Sequence, residues 1–300
     1  MRSSYYLLLG LFLFQSCTSL PTNEDSYRTG LEQWRSERLQ YLTRPDGWTT
    51  LVGLYWLKDS VQTYGSAPDN PIIFPSKAPA HIGQFTLQKE QVIASILPDA
   101  PVLMDGQPLT TPQAIHTDLE EEETNYFTCQ SLQWHIIKRG TKYGIRLKDT
   151  LNPARFKLKA LPHFPVDKKW VINATFHPAD SNDILKVLNA VGITSNLHPA
   201  GKLSFKINDK PYSFIALDGG PDELFVVMGD ATTGAETYGG GRFLDIPRPD
   251  STGHTTIDFN KAYNPPCVYS EYATCPLPTK ENTLPIPVNA GELMEEMQQH

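Results

Sequence analysis

Cys267 and Cys275 are the residues of this chain best suited to chemistry. The two sulfurs are separated by a short loop braced by Pro265-Pro266 on one side and Pro276 and Pro278 on the other. A disulfide between them would close a tight loop and fix Tyr269, Glu271 and Tyr272 on its rim. Two other states stay open. The pair could be thiols, or zinc ligands completed by His254 or another side chain, although zinc favours cysteines spaced about two to four residues apart. A nucleophilic Cys267 needs a base, and His254 is the histidine close to it in sequence.

A second group is Thr237-Tyr238-Gly239-Gly240-Gly241-Arg242. Glycines before an arginine permit a tight bend or close backbone approach to an anion, which Arg242 could then clamp. The alternative is a bulge in which Arg242 pairs with an internal acid such as Asp230, Asp245 or Asp258. A third group is Asp258, Asn260, Tyr263 and Asn264. Strand alternation through Ile257-Asp258-Phe259-Asn260 puts Asp258 and Asn260 on one polar face. Asn264 precedes two prolines, which bias it away from helix. Asp258 as general base with Glu271 as acid would make a hydrolytic pair if the fold brought them together. The Lys138-Arg139 hairpin, with Arg146 and Asp149, reads as a surface turn with an ion pair on a strand face. The histidines show no metal-ligand spacing, and the Gly-x-Ser-x-Gly elbow of many hydrolases is missing. Neither a cofactor nor a metal site is expected.

These groups need a scaffold. Tyr27, Leu31, Trp34 and Tyr41/Leu42 recur at helical spacing, predicting a helix over 27–42 that Pro45-Asp46-Gly47 ends. Beyond it the period changes to two. Strands are expected at 49–57, 82–87 and 91–96, at 132–137 and 143–148, and at 170–176. Further strands are expected at 203–207, 212–217, 224–228, 241–246 and 255–259. Asp105-Gly106 suits a tight primed turn. Hairpins without alternating long helices predict a mainly β, antiparallel sandwich or barrel-like single domain with an N-terminal helix, spanning 25–300, with a weak break near 178–183. Each Pro-x-Pro step (Pro247/Pro249, Pro276/Pro278, Pro285/Pro287) should mark a sheet edge or a brace.

The segments KRGTKYGIRLKD (138–149), TYGGGRFLD (237–245) and DFNKAYNPPCVYSEYATCPLP (258–278), closing on AGE (290–292), resemble the bacterial domain-of-unknown-function family 1684. RPDGWTTLVGLYWLK (44–58) is similar too. The resemblance implies no substrate and no catalytic residue, so function rests on the residues themselves.

At the other end, the apolar run Tyr5–Phe14 is too short to span a bilayer and stops at Gln15-Ser16-Cys17. This order resembles a bacterial lipoprotein signal. It predicts a signal peptide at 1–16, a lipidated, palmitate-bearing Cys17 and a polar tether over 17–24; an ordinary secretory signal is the alternative. The expected location is the cell envelope, held to the lipid bilayer through Cys17. Hydrophobic residues make up 40% and charged residues 20% of the chain, a globular balance. The net charge of -7 gives no basic field and argues against nucleic acid as a partner. The expected function is a membrane-anchored module that binds a small-molecule or anionic ligand through Arg242, Asp258, Asn260, Tyr263, Asn264 and Tyr272. The alternatives are a hydrolase-type enzyme using Asp258, Glu271 or Cys267 with Arg242, and a purely structural lipoprotein.

Overall fold

The computed structural model describes residues 23–119 and 122–294; Cys17 and the signal-like run before it lie outside that range. The chain opens with α1 (Asn23–Thr43), whose first turn carries Glu24 and Asp25 against the positive helix end. Eleven strands follow: β1 (Leu51–Trp56), β2 (Val61–Gly65), β3 (Ile72–Ile73), β4 (Gly83–Gln88), β5 (Gln91–Ile96), β6 (Leu103–Met104), β7 (Gln107–Pro108), β8 (Gln113–Ile115), β9 (Phe127–Cys129), β10 (Leu132–Arg139) and β11 (Lys142–Asp149). They form two sheets, ordered β1-β11-β10-β9-β6-β7 and β3-β2-β4-β5-β8. All pairings are antiparallel except β2 with β3. Between the sheets lies an aromatic core of Tyr64, Phe74, Phe85, Phe127 and Trp134. Phe127 and Trp134 stack with centroids 5.7 Å apart. Truncating a side chain in such a core typically costs about 3–5 kcal/mol. Cys129 belongs to this core, packed as a small apolar residue.

After α2 (Ala154–Lys157) come β12 (Val171–Pro178), β13 (Leu185–Leu188), β14 (Thr194–Leu197), β15 (Gly201–Ile207), β16 (Lys210–Asp218), β17 (Glu223–Met228), β18 (Arg242–Pro247) and β19 (His254–Asp258). Six of them form one antiparallel sheet, β18-β17-β16-β15-β12-β19. It curls until its two edge strands meet, so it is nearly a barrel. Leu203, Phe205, Phe214, Val226, Leu244, Ile257 and Phe259 fill it. β13 and β14 make a separate hairpin. The turn where a weak break was expected, near 178–183, connects β12 to that hairpin within this second half.

Turn chemistry explains why the hairpins sit where the sequence put them. Lys89-Glu90, Asp105-Gly106 and Asn208-Asp209 all take positive φ, as two-residue primed turns require. Pro247 ends β18, an edge strand, where a missing N–H leaves no pairing unmade. Two expected strand ends shift for local reasons. β1 starts at Leu51 and not at Thr49, because Trp48–Thr50 form a 3-10 turn in which the Thr49 and Thr50 hydroxyls donate to the carbonyls of Leu42 and Gly47. β19 stops at Asp258, whose side chain accepts the Asn260 N–H and opens another such turn, Phe259–Lys261.

The two cores meet along a third cluster. Leu51 of β1, Val227 and Phe243 of β17 and β18, and Ala273 and Cys275 of the closing segment pack with Trp48, Phe225, Tyr263, Cys267 and Tyr272. Residues 259–294 hold almost no regular structure. They are laid through this seam as a strap, with α1 bound along one side of it.

Candidate functional site

The seam is where the sequence-predicted residues come to rest, and side-chain hydrogen bonds substitute there for the missing secondary structure. Arg242 begins β18 directly after Gly241, which sits at φ +80 with the Met228 carbonyl 2.5 Å from where a Cβ would be. Its guanidinium is closed off from solvent and bonded to Asp230 at 2.6 Å. It also donates to the carbonyls of Val288 (3.1 Å) and Ala290. Asp230 in turn accepts the N–H and hydroxyl of Thr232, each at 2.6 Å. Of the roles the sequence left open for Arg242, this is the ion pair with an internal acid. The side chain has no free face for a ligand.

Asp258 and Asn260 do not share the polar strand face that alternation predicted, because the chain leaves the strand between them. Asp258 accepts the Tyr27 hydroxyl at 2.9 and 3.0 Å and the Asn260 side-chain amide at 3.1 Å. Burial, and then the Asp258 charge, push the Tyr27 hydroxyl pKa upward. Asn260 is itself buried, bonding both ways with the Asp167 backbone. This cluster fastens the start of α1 to the second half. Glu271 is exposed beside Tyr272 and shares no hydrogen-bond partner with Asp258 among the described residues. The Asp258 oxygens are instead taken up by Tyr27 and Asn260.

Asn264 is buried as well. Its N–H donates to Glu292 at 2.8 Å, and its side chain donates to the Leu293 carbonyl at 2.9 Å. Glu292 is fully buried and is bonded by Arg38, whose guanidinium also reaches the Asn264 carbonyl at 2.7 Å and lies 4.2 Å above the Tyr263 ring. Sequence reasoning missed Arg38. The signal was its position four residues after Trp34, a charge on the apolar stripe of α1.

Beside these buried groups, an aromatic cleft of about 480 Å³ opens between α1 and β17–β18. Trp34, Tyr41, Trp48, Phe225, Phe243 and Tyr263 wall it. The rings hold one another edge to face, Phe225 to Phe243 at 4.9 Å and Phe243 to Tyr263 at 5.8 Å. Carboxylates Glu37 and Asp245 line it too, and the lining cation, Arg38, is already paired. Asp245 is exposed as a residue, yet its carboxyl reaches in towards Tyr263, and desolvation there raises its pKa. Of the six residues expected to bind a ligand, Tyr263 alone lines this cleft. Tyr272 packs in the seam behind it.

Cys267 and Cys275 lie deeper in the same seam, as free thiols. Each accepts the other's backbone N–H on sulfur, at 3.1 and 3.2 Å. His254, the base or ligand considered for them, instead bonds within its own turn, 2.8 Å from the Thr252 hydroxyl. The cation facing the pair is Arg146 of β11. An ion pair between Arg146 and Asp149 was expected, but residues three apart on a strand face opposite ways. Asp149 pairs with Lys77 at 2.6 Å, and Arg146 turns into the seam. There it shares the Thr274 hydroxyl with Arg139, each at 3.0 Å, and lies 4.0 Å from Asp118, which Arg139 grips more closely at 2.8 Å. Desolvation, and then Arg139, lower the Arg146 pKa to about 10.

The family model described as "Protein of unknown function (DUF1684)" matches residues 156–293, the second half with the strap. The segments 44–58 and 138–149 lie outside that match. The solution NMR structure of an uncharacterized protein from gene locus rrnAC0354 of Haloarcula marismortui is 31% identical, over 49% of this chain and 81% of that one, with a TM-score of 0.39. No curated protein matches significantly.

Proposed function

The chain belongs to the DUF1684 family, whose name carries no activity, and from that premise we propose that it is a small-molecule-binding module whose ligand enters the aromatic cleft between α1 and β17–β18. The ligand class follows from the lining. Aromatic faces favour flat or ring-bearing molecules and cations. Glu37 and Asp245 oppose an anion, and Arg38 is neutralised by Glu292. The ligand is therefore a neutral or positively charged ring compound, not the anion that a free Arg242 would have suited. The single observation that carries this reading is the set of aromatic side chains that line one cleft together with two carboxylates.

Tryptophan fluorescence of the full chain tests it, because Trp34 and Trp48 line the cleft. Phenyltrimethylammonium should quench saturably, and benzenesulfonate, of similar size and opposite charge, should not. Trp34→Ala should weaken the ammonium by about tenfold, the ~1.4 kcal/mol within reach of one cation–π contact. Equal or better binding of the sulfonate would overturn the charge assignment. Binding of neither probe, in a protein that stays folded, would favour a purely structural role.

The proposal keeps the lipid anchor at Cys17. It is supported by the apolar run Tyr5–Phe14 that ends at this cysteine. Among the described residues no helix is long and apolar enough to cross a membrane. Radiolabelled palmitate should enter the wild-type chain in a bacterial host and not Cys17→Ala; equal labelling of the two would remove the anchor.

A further inference from the structure

Behind the aromatic cleft, the Cys267–Cys275 pair has surroundings that a purely structural link does not need. Its sequence neighbours open in two directions. Pro266 lines the aromatic cleft, while Thr274 and Pro276 line a second cleft of about 680 Å³ between the β10–β11 turn and the β13–β14 hairpin. The reciprocal N–H···S contacts bring each sulfur against the other residue's backbone, within reach of a bond by side-chain rotation. The two cysteines are unequal, Cys267 half-buried and Cys275 buried. Positive charge is in excess beside them. Arg146 and Arg139 share Asp118 among the described residues, and Arg146 Nε, inside the seam, has no partner.

We propose that Cys267 and Cys275 are a redox-active dithiol–disulfide pair that exchanges with small organic disulfides, Cys267 attacking, Cys275 resolving, and Arg146 supplying the positive charge that favours the attacking thiolate. The inequality of the thiols runs the right way. A hydrogen bond from the Cys275 thiol, aided by its backbone N–H and the Arg146 charge, lowers the Cys267 pKa. Burial, and then the neighbouring Cys267 thiolate, push Cys275 up. The other titratable groups facing the pair are Tyr238, from the loop before β18, and Arg139 and Asp118 around Thr274.

The chemistry balances without an unnamed reactant. Cys267 gives up its proton and its thiolate attacks one sulfur of RSSR. That S–S bond breaks, and RS⁻ leaves with the electron pair and takes a proton. Cys275, losing its proton in turn, attacks the Cys267 sulfur of the mixed disulfide, and the second RS⁻ departs and is protonated. The dithiol is oxidised by two electrons, the organic disulfide is reduced to two RSH, and excess RSH reverses the cycle.

Bis(2-hydroxyethyl) disulfide added to the reduced full chain tests this, followed by alkylation and intact-mass measurement without denaturant. The wild type should bridge Cys267 to Cys275, release two mercaptoethanol molecules per chain, and reopen under excess mercaptoethanol. Cys275→Ser should stop at a mixed disulfide on Cys267. Cys267→Ser should form a mixed disulfide at Cys275 at least about tenfold more slowly, because that thiol of the pair is buried and protonated. Arg146→Met should slow the wild-type attack near neutral pH by about tenfold and recover rate as pH rises, a profile shift that a merely structural arginine would not produce. A bridge that the native protein retains against excess thiol would make the link structural and overturn the proposal. So would thiols that react only after denaturation, or a Cys275 that reacts as fast as Cys267. None of these readouts depends on the ring-compound ligand, so the two readings fail separately.

Discussion

Arg242 and Arg146 each leave a β-strand to be buried in the seam, yet their surroundings have little in common. Arg242 meets Asp230 at 2.6 Å and the carbonyls of the strap, so its charge is cancelled and most of its donors are used. Arg146 meets a hydroxyl, a carboxylate 4.0 Å away that a second arginine already holds, and a pair of sulfurs. The Nε of each is unpartnered; the difference lies in the counter-charge. A buried cation with its own carboxylate is a fastener, because removing either partner strands the other in a poor dielectric. A buried cation without one is costly to keep, and such costs concentrate where a fold performs chemistry. The Arg242 region therefore belongs to the scaffold and the Arg146 region to the site.

The sharpest way to break this contrast is Asp230→Ala. It leaves Arg242 buried without its carboxylate and should destabilise the protein by about 3–5 kcal/mol in urea unfolding. A loss below about 1 kcal/mol would mean that the strap carbonyls suffice and that the fastener reading is wrong.

On the Arg146 side the next largest effect is one of pH. His135 stands opposite Arg146 in the β10–β11 register and is buried. Desolvation, and then the Arg146 charge, lower its pKa from 6.5 to about 3. Between those values the unfolded chain binds a proton that the folded chain refuses, so stability is complete above pH 6.5 and falls with acidification. At pH 5 the loss should be ~2 kcal/mol, about 1.5 pH units at ~1.4 kcal/mol each. His135→Gln should flatten that part of the stability–pH curve, and an unchanged slope would place the acid sensitivity elsewhere.

The smallest effect is expected from Arg146→Met. Replacing an under-paired buried cation by an apolar chain of similar length should alter stability by no more than about 1 kcal/mol in either direction. The same change at Arg242 would leave Asp230 buried and ionised and should resemble Asp230→Ala. Equal losses from Arg146→Met and Arg242→Met would erase the distinction between fastener and site.

How much of this could be read from the chain follows from how local each feature is. The hairpins were legible because strand alternation and short turns lie within a few positions of one another, with Asp105-Gly106 the clearest turn signal. The face of α1 was legible from Tyr27, Leu31, Trp34 and Leu42 at helical spacing, and Asp230 was among the acids proposed for Arg242. Strand parity was the information misused. It rules out Arg146 with Asp149, and it does not reach Asn260, since the Asp258 side chain caps a turn and ends the strand.

The sequence by itself determined a mainly β antiparallel fold with one leading helix, because period and turn chemistry are written into neighbouring residues. It also gathered most of its candidate site residues into the stretch 237–275. Only the tertiary structure decided which polar residues of that stretch are fasteners and which face a cleft. Arg38 meets Glu292, Tyr27 meets Asp258, and Arg146 meets Thr274 across separations of 254, 231 and 128 residues. Desolvation assigns the role of each such charge, and desolvation depends on everything that packs around it.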